Sequence, residues 1–401
     1  MRRYTAFLFF ILTAFLISLP GAVVAETTSV AETPKVVLPA PQVLKLSADG
    51  KILLSGVPAK AVVVDPNPSA PRRKIPAPAR LATAPAAATA GFSITYVPEG
   101  GSDLWDESCS PFPDVAKSAF NAAAGIWANT VSSAVPITIR ACWADLGSSN
   151  TLGYSGGGAA YRDFPGAPFT DTWYAVSLAN SLHGADLNPA GFDMHITFNR
   201  NFAWYYGTDG NTPAGQYDLV SVVLHEIAHG LNFSGSMQYA GGFGSWGYGT
   251  DFPTIYDVFM RDGSGMQLIN TAVYPNSSSA LGSALISNNI WFYGGKARMA
   301  NSNQPVKMYT PGIWSGGSSY SHLDYDTFSN TSNQLMVYAI SDGESIHDPG
   351  AVTRGLFQDL GWTVSGSLPS PSPLPSSSTY SPSSVSPWLT LLLGDDGPTP
   401  P

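Results

Sequence analysis

Leu224-His225-Glu226-Ile227-Ala228-His229-Gly230 sets two histidines and a glutamate at His-Glu-x-x-His spacing. On an α-helix, residues four apart lie one above the other, so His225 and His229 can offer imidazoles to one ion. Zinc suits two neutral ring nitrogens. Glu226 is displaced around the helix from both, and its carboxylate can take a proton from a water at the metal and pass it to a leaving amine. The chemistry is metal-assisted hydrolysis. The same residues have plainer readings, as two core histidines with a surface glutamate or as a structural zinc site. Zinc needs a third protein ligand, and His322, His347 and Asp257 are the candidates.

These residues require a helix. The pattern predicts one from about Thr212 to Leu231, with Thr212-Pro213 as N-cap and first turn. Val220, Leu224, Ile227, Ala228 and Leu231 form its apolar stripe, and Val222, His225, Glu226 and His229 lie opposite. Upstream, Phe92 to Val97 alternates as a strand. Pro113-Asp114 opens a helix with Val115, Ala119, Ala122, Ala123, Ile126 and Trp127 on one face. Ile137 to Trp143 reads as a half-buried strand, and Thr172 to Leu182 and Asp193 to Phe198 as further strands. Thr353 to Leu360 reads as a last short helix closed by Gly361.

The 401-residue chain is 44% hydrophobic and only 12% charged, with 33 Pro and 40 Gly. A core is affordable, and wholesale disorder is excluded. A net charge of −9 argues against nucleic acid as a partner. Arg2-Arg3, the apolar run Phe7 to Leu19 and the small-residue end at Ala25 form a signal-peptide pattern over residues 1–25. The expected location is secreted or extracellular, with periplasmic and surface-associated variants of the same export. No stable membrane span is expected, because the run is short. Export permits a disulfide, and Cys109 and Cys142 are the only cysteines. One bridge between them is expected; two buried thiols are the alternative.

Residues 26–90 are rich in Ala, Pro and Val and read as a propeptide or linker, with Arg72-Arg73-Lys74 as a processing cluster or a solvated charge run. Ordered structure is expected from near Gly91, through a catalytic domain at 91–363. Residues 234–320 are an insertion of loops and short elements, and 364–401 a Ser/Pro-rich disordered tail.

Downstream of the zinc helix come Ser321-His322-Leu323-Asp324, then Asn333-Gln334-Leu335-Met336, then Gln358-Asp359-Leu360-Gly361-Trp362. This order resembles the leishmanolysin family of metzincin metalloproteases. The resemblance covers about 91–363 and is specific from His225 to Trp362. It implies an α+β, two-subdomain metalloprotease with a twisted mixed sheet, a backing helix and a zinc helix. It implies His225, His229 and His322 as zinc ligands, Glu226 as general base and Met336 as the Met-turn. By similarity to other metzincins, Tyr338 would stabilise an oxyanion; a buried structural tyrosine is the alternative. The substrate would be a protein or peptide bound in extended form along an edge strand, for which Thr172 to Leu182 is the candidate.

Two departures stand out. Asn232 replaces the family's glycine after the zinc helix, where a positive φ is needed; Asn tolerates that region. No cysteine precedes Cys109, so a cysteine latch in residues 26–90 is impossible. Latency would use a carboxylate such as Asp49 or Asp65, or steric blocking. Asp209-Gly210-Asn211 and Asp257 could bind calcium, though polar turns are the default there. Asp359 could hydrogen-bond near the base of the site, though a surface carboxylate at a helix end is the default. Two other functions remain open: a degenerate extracellular adhesion or binding protein on the same scaffold, and a zinc hydrolase of non-peptide substrates.

Overall fold

The structure, a computed structural model, describes residues 42–45, 60–67, 69–70, 72–78, 90–147 and 149–365. The signal-peptide pattern at 1–25, Asp49 and nearly all of the Ser/Pro-rich tail lie outside these.

The first strands precede Gly91. They are β1 (Gln42–Lys45), β2 (Lys60–Val64) and β3 (Lys74–Ile75). Next come β4 (Phe92–Tyr96), β5 (Cys109–Ser110) and the helix α1 (Asp114–Thr130). After β6 (Val131–Ser132) follow β7 (Ile137–Ala144), β8 (Thr151–Gly157) and β9 (Ala159–Arg162). β10 (Tyr174–Ala175) leads into α2 (Val176–His183), and β11 (Met194–Asn199) follows. The short pair β12 (Trp204–Tyr205) and β13 (Tyr217–Asp218) delivers the chain to α3 (Leu219–Gly230).

The main sheet is mixed. From one edge its order is Ala339–Ile340, β2, β8, β11, β7, β4, with β5 paired to the end of β7. β4, β7 and β11 run parallel, whereas β8 is antiparallel to β11 and β2 antiparallel to β8. The fold is thus mixed α/β, with a mixed sheet and several helices. One main apolar core joins Trp127 and Phe120 of α1, Ile139 of β7, Leu224 and Ile227 of α3, and Leu356 and Phe357 of the last helix, Gly350–Leu360. α1 lies behind α3, and the Trp127 indole N–H donates to the Leu224 carbonyl at 2.8 Å. Cys109 and Cys142 form a disulfide that ties β5 to β7. Among the described residues, no helix is long and apolar enough to cross a membrane.

Three expectations are corrected. Structure does not begin at Gly91: β2 lies inside the main sheet. Lys-Ala-Val-Val-Val is too short to carry a period of its own, and its partners are about 90 and 280 residues away along the chain. Thr172 to Leu182 is not a strand. Only Tyr174–Ala175 is a strand, with a single bridge from Trp173 to Thr254 before it, and Val176 onward is α2, which ends on Gly184 in the left-handed region. Its apolar residues fit a period of 2 or of 3.6 over so short a run. Finally, Thr212-Pro213 does not cap the zinc helix. Asp218 does, its carboxylate accepting the Ser221 N–H at 2.9 Å. Thr212 lies in the loop before β13 and donates its hydroxyl to Asp218 at 3.0 Å.

Candidate metal centre

α3 is buried along its whole length, so even its polar face points into protein. Its end is a Schellman closure: the Phe233 N–H bonds the Ala228 carbonyl and the Asn232 N–H bonds the His229 carbonyl, both at 3.0 Å. Asn232 takes φ 85°, the left-handed conformation that the turn demands. Its side-chain oxygen accepts the Ala175 N–H at 2.7 Å. The reversal carries the Phe233 carbonyl back to His229 Nδ1, at 2.8 Å.

The other imidazoles are held in the same way. His225 Nδ1 bonds the Leu335 carbonyl at 2.6 Å, and His322 Nδ1 bonds the Ser318 carbonyl at 2.7 Å. A carbonyl oxygen only accepts, so each Nδ1 carries the hydrogen and each Nε2 keeps its lone pair. The three Nε2 atoms face one another at 3.1, 3.1 and 3.2 Å. Burial favours the neutral rings: it pulls His225 down to about 4 and puts His229 and His322 well below the ordinary histidine value. Three converging lone pairs with no proton among them repel one another unless a cation sits between them. Two ligands of one tetrahedral zinc, bonded at about 2.0–2.1 Å, lie about 3.3 Å apart, so the donor set fits. Among the described residues, this trio is the one group of His, Cys, Asp or Glu side chains close enough to hold a metal ion.

Glu226 is fully buried beside the trio. The Ser155 hydroxyl lies 2.8 Å from its Oε2, and the Val62 N–H donates to Oε1 at 3.3 Å. Burial raises its pKa to about 8 against those two hydrogen bonds. Met336 is buried in the short turn Gln334–Met336, whose Leu335 supplies the carbonyl to His225. The Met336 carbonyl accepts the N–H of Leu323, next to His322. The turn therefore braces two of the three histidines through the backbone.

The remaining candidates lie elsewhere. His347 Nε2 pairs with Asp218 at 2.7 Å, at the far end of α3 from His229. Asp257 accepts N–H and hydroxyl bonds from Thr254 in a capping box, together with bonds from Ser236 and from Tyr320 at 2.8 Å. Tyr338 stacks on Tyr309 at 4.2 Å between ring centroids and packs on Tyr325, and burial raises its pKa. These contacts lend nothing to an oxyanion role. Asp209 bonds Tyr205 and Asn211 as a polar turn would. Asp359 is half-buried and accepts the N–H groups of Lys296 and Ala297 at 2.9 and 2.8 Å, fixing the start of the helix Gly295–Ala300. Partial burial raises it to about 6.

Ser155 and the three carbonyl anchors were not foreseeable. A serine in Gly153-Tyr154-Ser155-Gly156 has no signature, and a backbone carbonyl has no sequence identity at all.

In comparisons with known proteins, the family described as SPBPB7E8-like matches residues 185–242. That stretch contains His225, Glu226 and His229 but not His322, and is well under half of the chain. No curated protein and no solved structure matches the chain.

Proposed function

We propose that this chain is an exported, zinc-dependent endopeptidase resembling the leishmanolysin-type metzincins. The observation that carries the reading is the convergence of three neutral Nε2 atoms beside a buried glutamate. His225, His229 and His322 would hold the ion, and their Nδ1 hydrogen bonds fix ring orientation and strengthen the donors. Bound there, zinc would supply Lewis-acid polarisation of a carbonyl and a more acidic water. Glu226 receives the proton at a carboxylate oxygen and delivers it to the departing amine. A cation in the cage favours the ionised carboxylate, opposing the upward push of burial. Ser155 keeps that carboxylate aimed. A peptide would lie extended along β8, the strand that carries Ser155, in place of the Thr172–Leu182 segment.

Two further readings use the same residues. A hydrolase of non-peptide substrates shares the whole site. A degenerate binding protein would have no need of Glu226. The test is metal content of the purified chain together with hydrolysis of casein, ester and glycan substrates, with and without a chelator. We expect about one zinc per chain and chelator-sensitive casein cleavage. A metal-free chain, or a zinc-loaded one that cleaves esters and no peptide after processing, would sink this reading.

A further inference from the structure

A small cavity lies beside the turn Gln334–Met336, with room for about one water-sized occupant. Asp65, Tyr325, Ser329, Asn330, Gln334 and Glu344 supply its polar lining. Gln334 and Glu344 are buried, at 2% and 6% exposure, whereas Asp65, Ser329 and Asn330 are half-buried and lead outward. None of the three zinc-site histidines lines it.

Ser341 holds the two carboxylates side by side. Its N–H donates to Glu344 Oε2 at 3.0 Å and its hydroxyl to Asp65 Oδ2 at 3.2 Å. Asp65 also accepts the Asn67 N–H at 2.8 Å and the Tyr325 hydroxyl. Glu344 also accepts Gln334 Nε2 at 2.8 Å and the Arg73 N–H. A carboxylate can accept about four hydrogen bonds, so each has an electron pair to spare. Among the described residues, no Lys or Arg side chain pairs with either one. Burial pushes the Glu344 pKa up, and the charge of Asp65 adds to that push. The Gln334 amide is a separate sign. Its nitrogen must face Glu344, because a carboxylate only accepts. The oxygen on the same carbon stands next to that carboxylate, buried and without any hydrogen-bond partner. Buried acceptors are almost always satisfied, and this one is not. The lining thus lacks a positive partner for three sets of oxygen atoms.

We propose that this cavity is a calcium site, with Asp65, Glu344 and the Gln334 amide oxygen as its protein ligands and solvent at the outer side completing the shell. These donors are hard oxygens with no sulfur or imidazole among them, which suits calcium and not zinc. Two carboxylates balance its two charges. Calcium takes about six to eight oxygens in irregular arrangements, whereas magnesium demands a near-ideal octahedron and gives up its water reluctantly. The ion would serve the unpartnered Gln334 oxygen and both carboxylates at once. Gln334 precedes Leu335, whose carbonyl holds His225 Nδ1 at 2.6 Å. Calcium would therefore stiffen the turn that braces one of the three histidines. The site does not depend on the peptidase reading.

The test uses the full chain, stripped with a calcium-selective chelator and dialysed. Calcium is titrated by calorimetry. Terbium emission is excited through tyrosine, since the Tyr325 hydroxyl donates to Asp65. We expect about one calcium per chain, with a Kd on the order of 10⁻⁴–10⁻³ M, the range of extracellular modules. Calcium should displace terbium, and magnesium at the same concentration should not. Glu344→Gln keeps the shape and removes a charge, and should weaken calcium by roughly 10-fold or more, because affinity follows ligand charge. Asp65→Asn, at the half-buried rim, should do the same and decides the matter if Glu344→Gln does not fold. Gln334→Met removes the unpartnered oxygen and should weaken calcium as well. A wild type that binds no calcium at about 10-fold above that range would overturn the site, leaving water or a protonated Glu344 in the cavity. Equal affinity in wild type and the folded variants would put the calcium elsewhere and overturn it too. Displacement of terbium by magnesium as readily as by calcium would overturn the choice of ion.

Discussion

The Phe233 carbonyl holds His229 Nδ1 at 2.8 Å, and it does so only because Asn232, between them, turns the chain through φ 85°. Backbone conformation at one residue therefore aims a metal ligand. Asn232→Gly should keep the turn and the metal. Asn232→Val puts a β-branched residue in the left-handed region, at about 1–2 kcal/mol, and deletes the acceptor for the Ala175 N–H. It should weaken zinc by roughly 10-fold or more, as lost support of a ligand does. Chelator competition on the two variants checks this; equal affinities would refute the coupling.

Glu226→Gln should keep zinc and lose hydrolysis. The amide is nearly isosteric and can still meet Ser155, but it cannot take up a proton. General-base assistance is typically worth 10²–10⁴-fold, and the loss should be about that large or larger. Metal analysis and peptide turnover on the same sample are sufficient. Wild-type turnover by the variant would show that the proton goes elsewhere.

Three substitutions separate the ligand candidates. His322→Ala should lose most of the bound zinc. Asp257→Ala and His347→Ala should retain it and be less stable instead. His347→Ala removes one of three hydrogen bonds to Asp218 Oδ2, Ser221 keeping the other two, a loss of roughly 0.5–1.5 kcal/mol. Zinc per chain and denaturant midpoints measure the two effects. Full zinc in His322→Ala would rule out the three-histidine centre.

His195, on β11 and away from the trio, should shape the acid limb of stability. It is buried with no hydrogen-bond partner at Nδ1, and burial, with the charge of Arg140, pulls its pKa down to about 4. The unfolded chain binds this proton near pH 6.5 and the folded chain only near pH 4. Its contribution is therefore present above about pH 6.5 and is lost as the pH falls toward 4, by up to roughly 3 kcal/mol. His195→Leu should lose less stability than wild type between about pH 7 and pH 4.5. Urea midpoints at those two values test it, and a wild-type-to-variant gap that does not change with pH would contradict it.

What could be read from residues alone follows from local rules. His225, Glu226 and His229 needed only the helical period. Cys109 and Cys142 needed only that no third cysteine competes. Asn232 needed only its tolerance of positive φ, and α1 and the last helix showed in their apolar spacing. His322 came from the order of short segments resembling a known family, since nothing local marks it among the chain's six histidines. Tertiary structure decided the rest. The 93-residue step from His229 to His322 is closed by packing that no window of sequence contains. The helix start moved to Asp218 because its carboxylate meets Ser221 and His347 together. The five residues of β2, without a period of their own, became a strand because β8 and Ala339–Ile340 both offered unpaired edges. A buried backbone must find hydrogen bonds, and partners this distant exist only once the chain has folded.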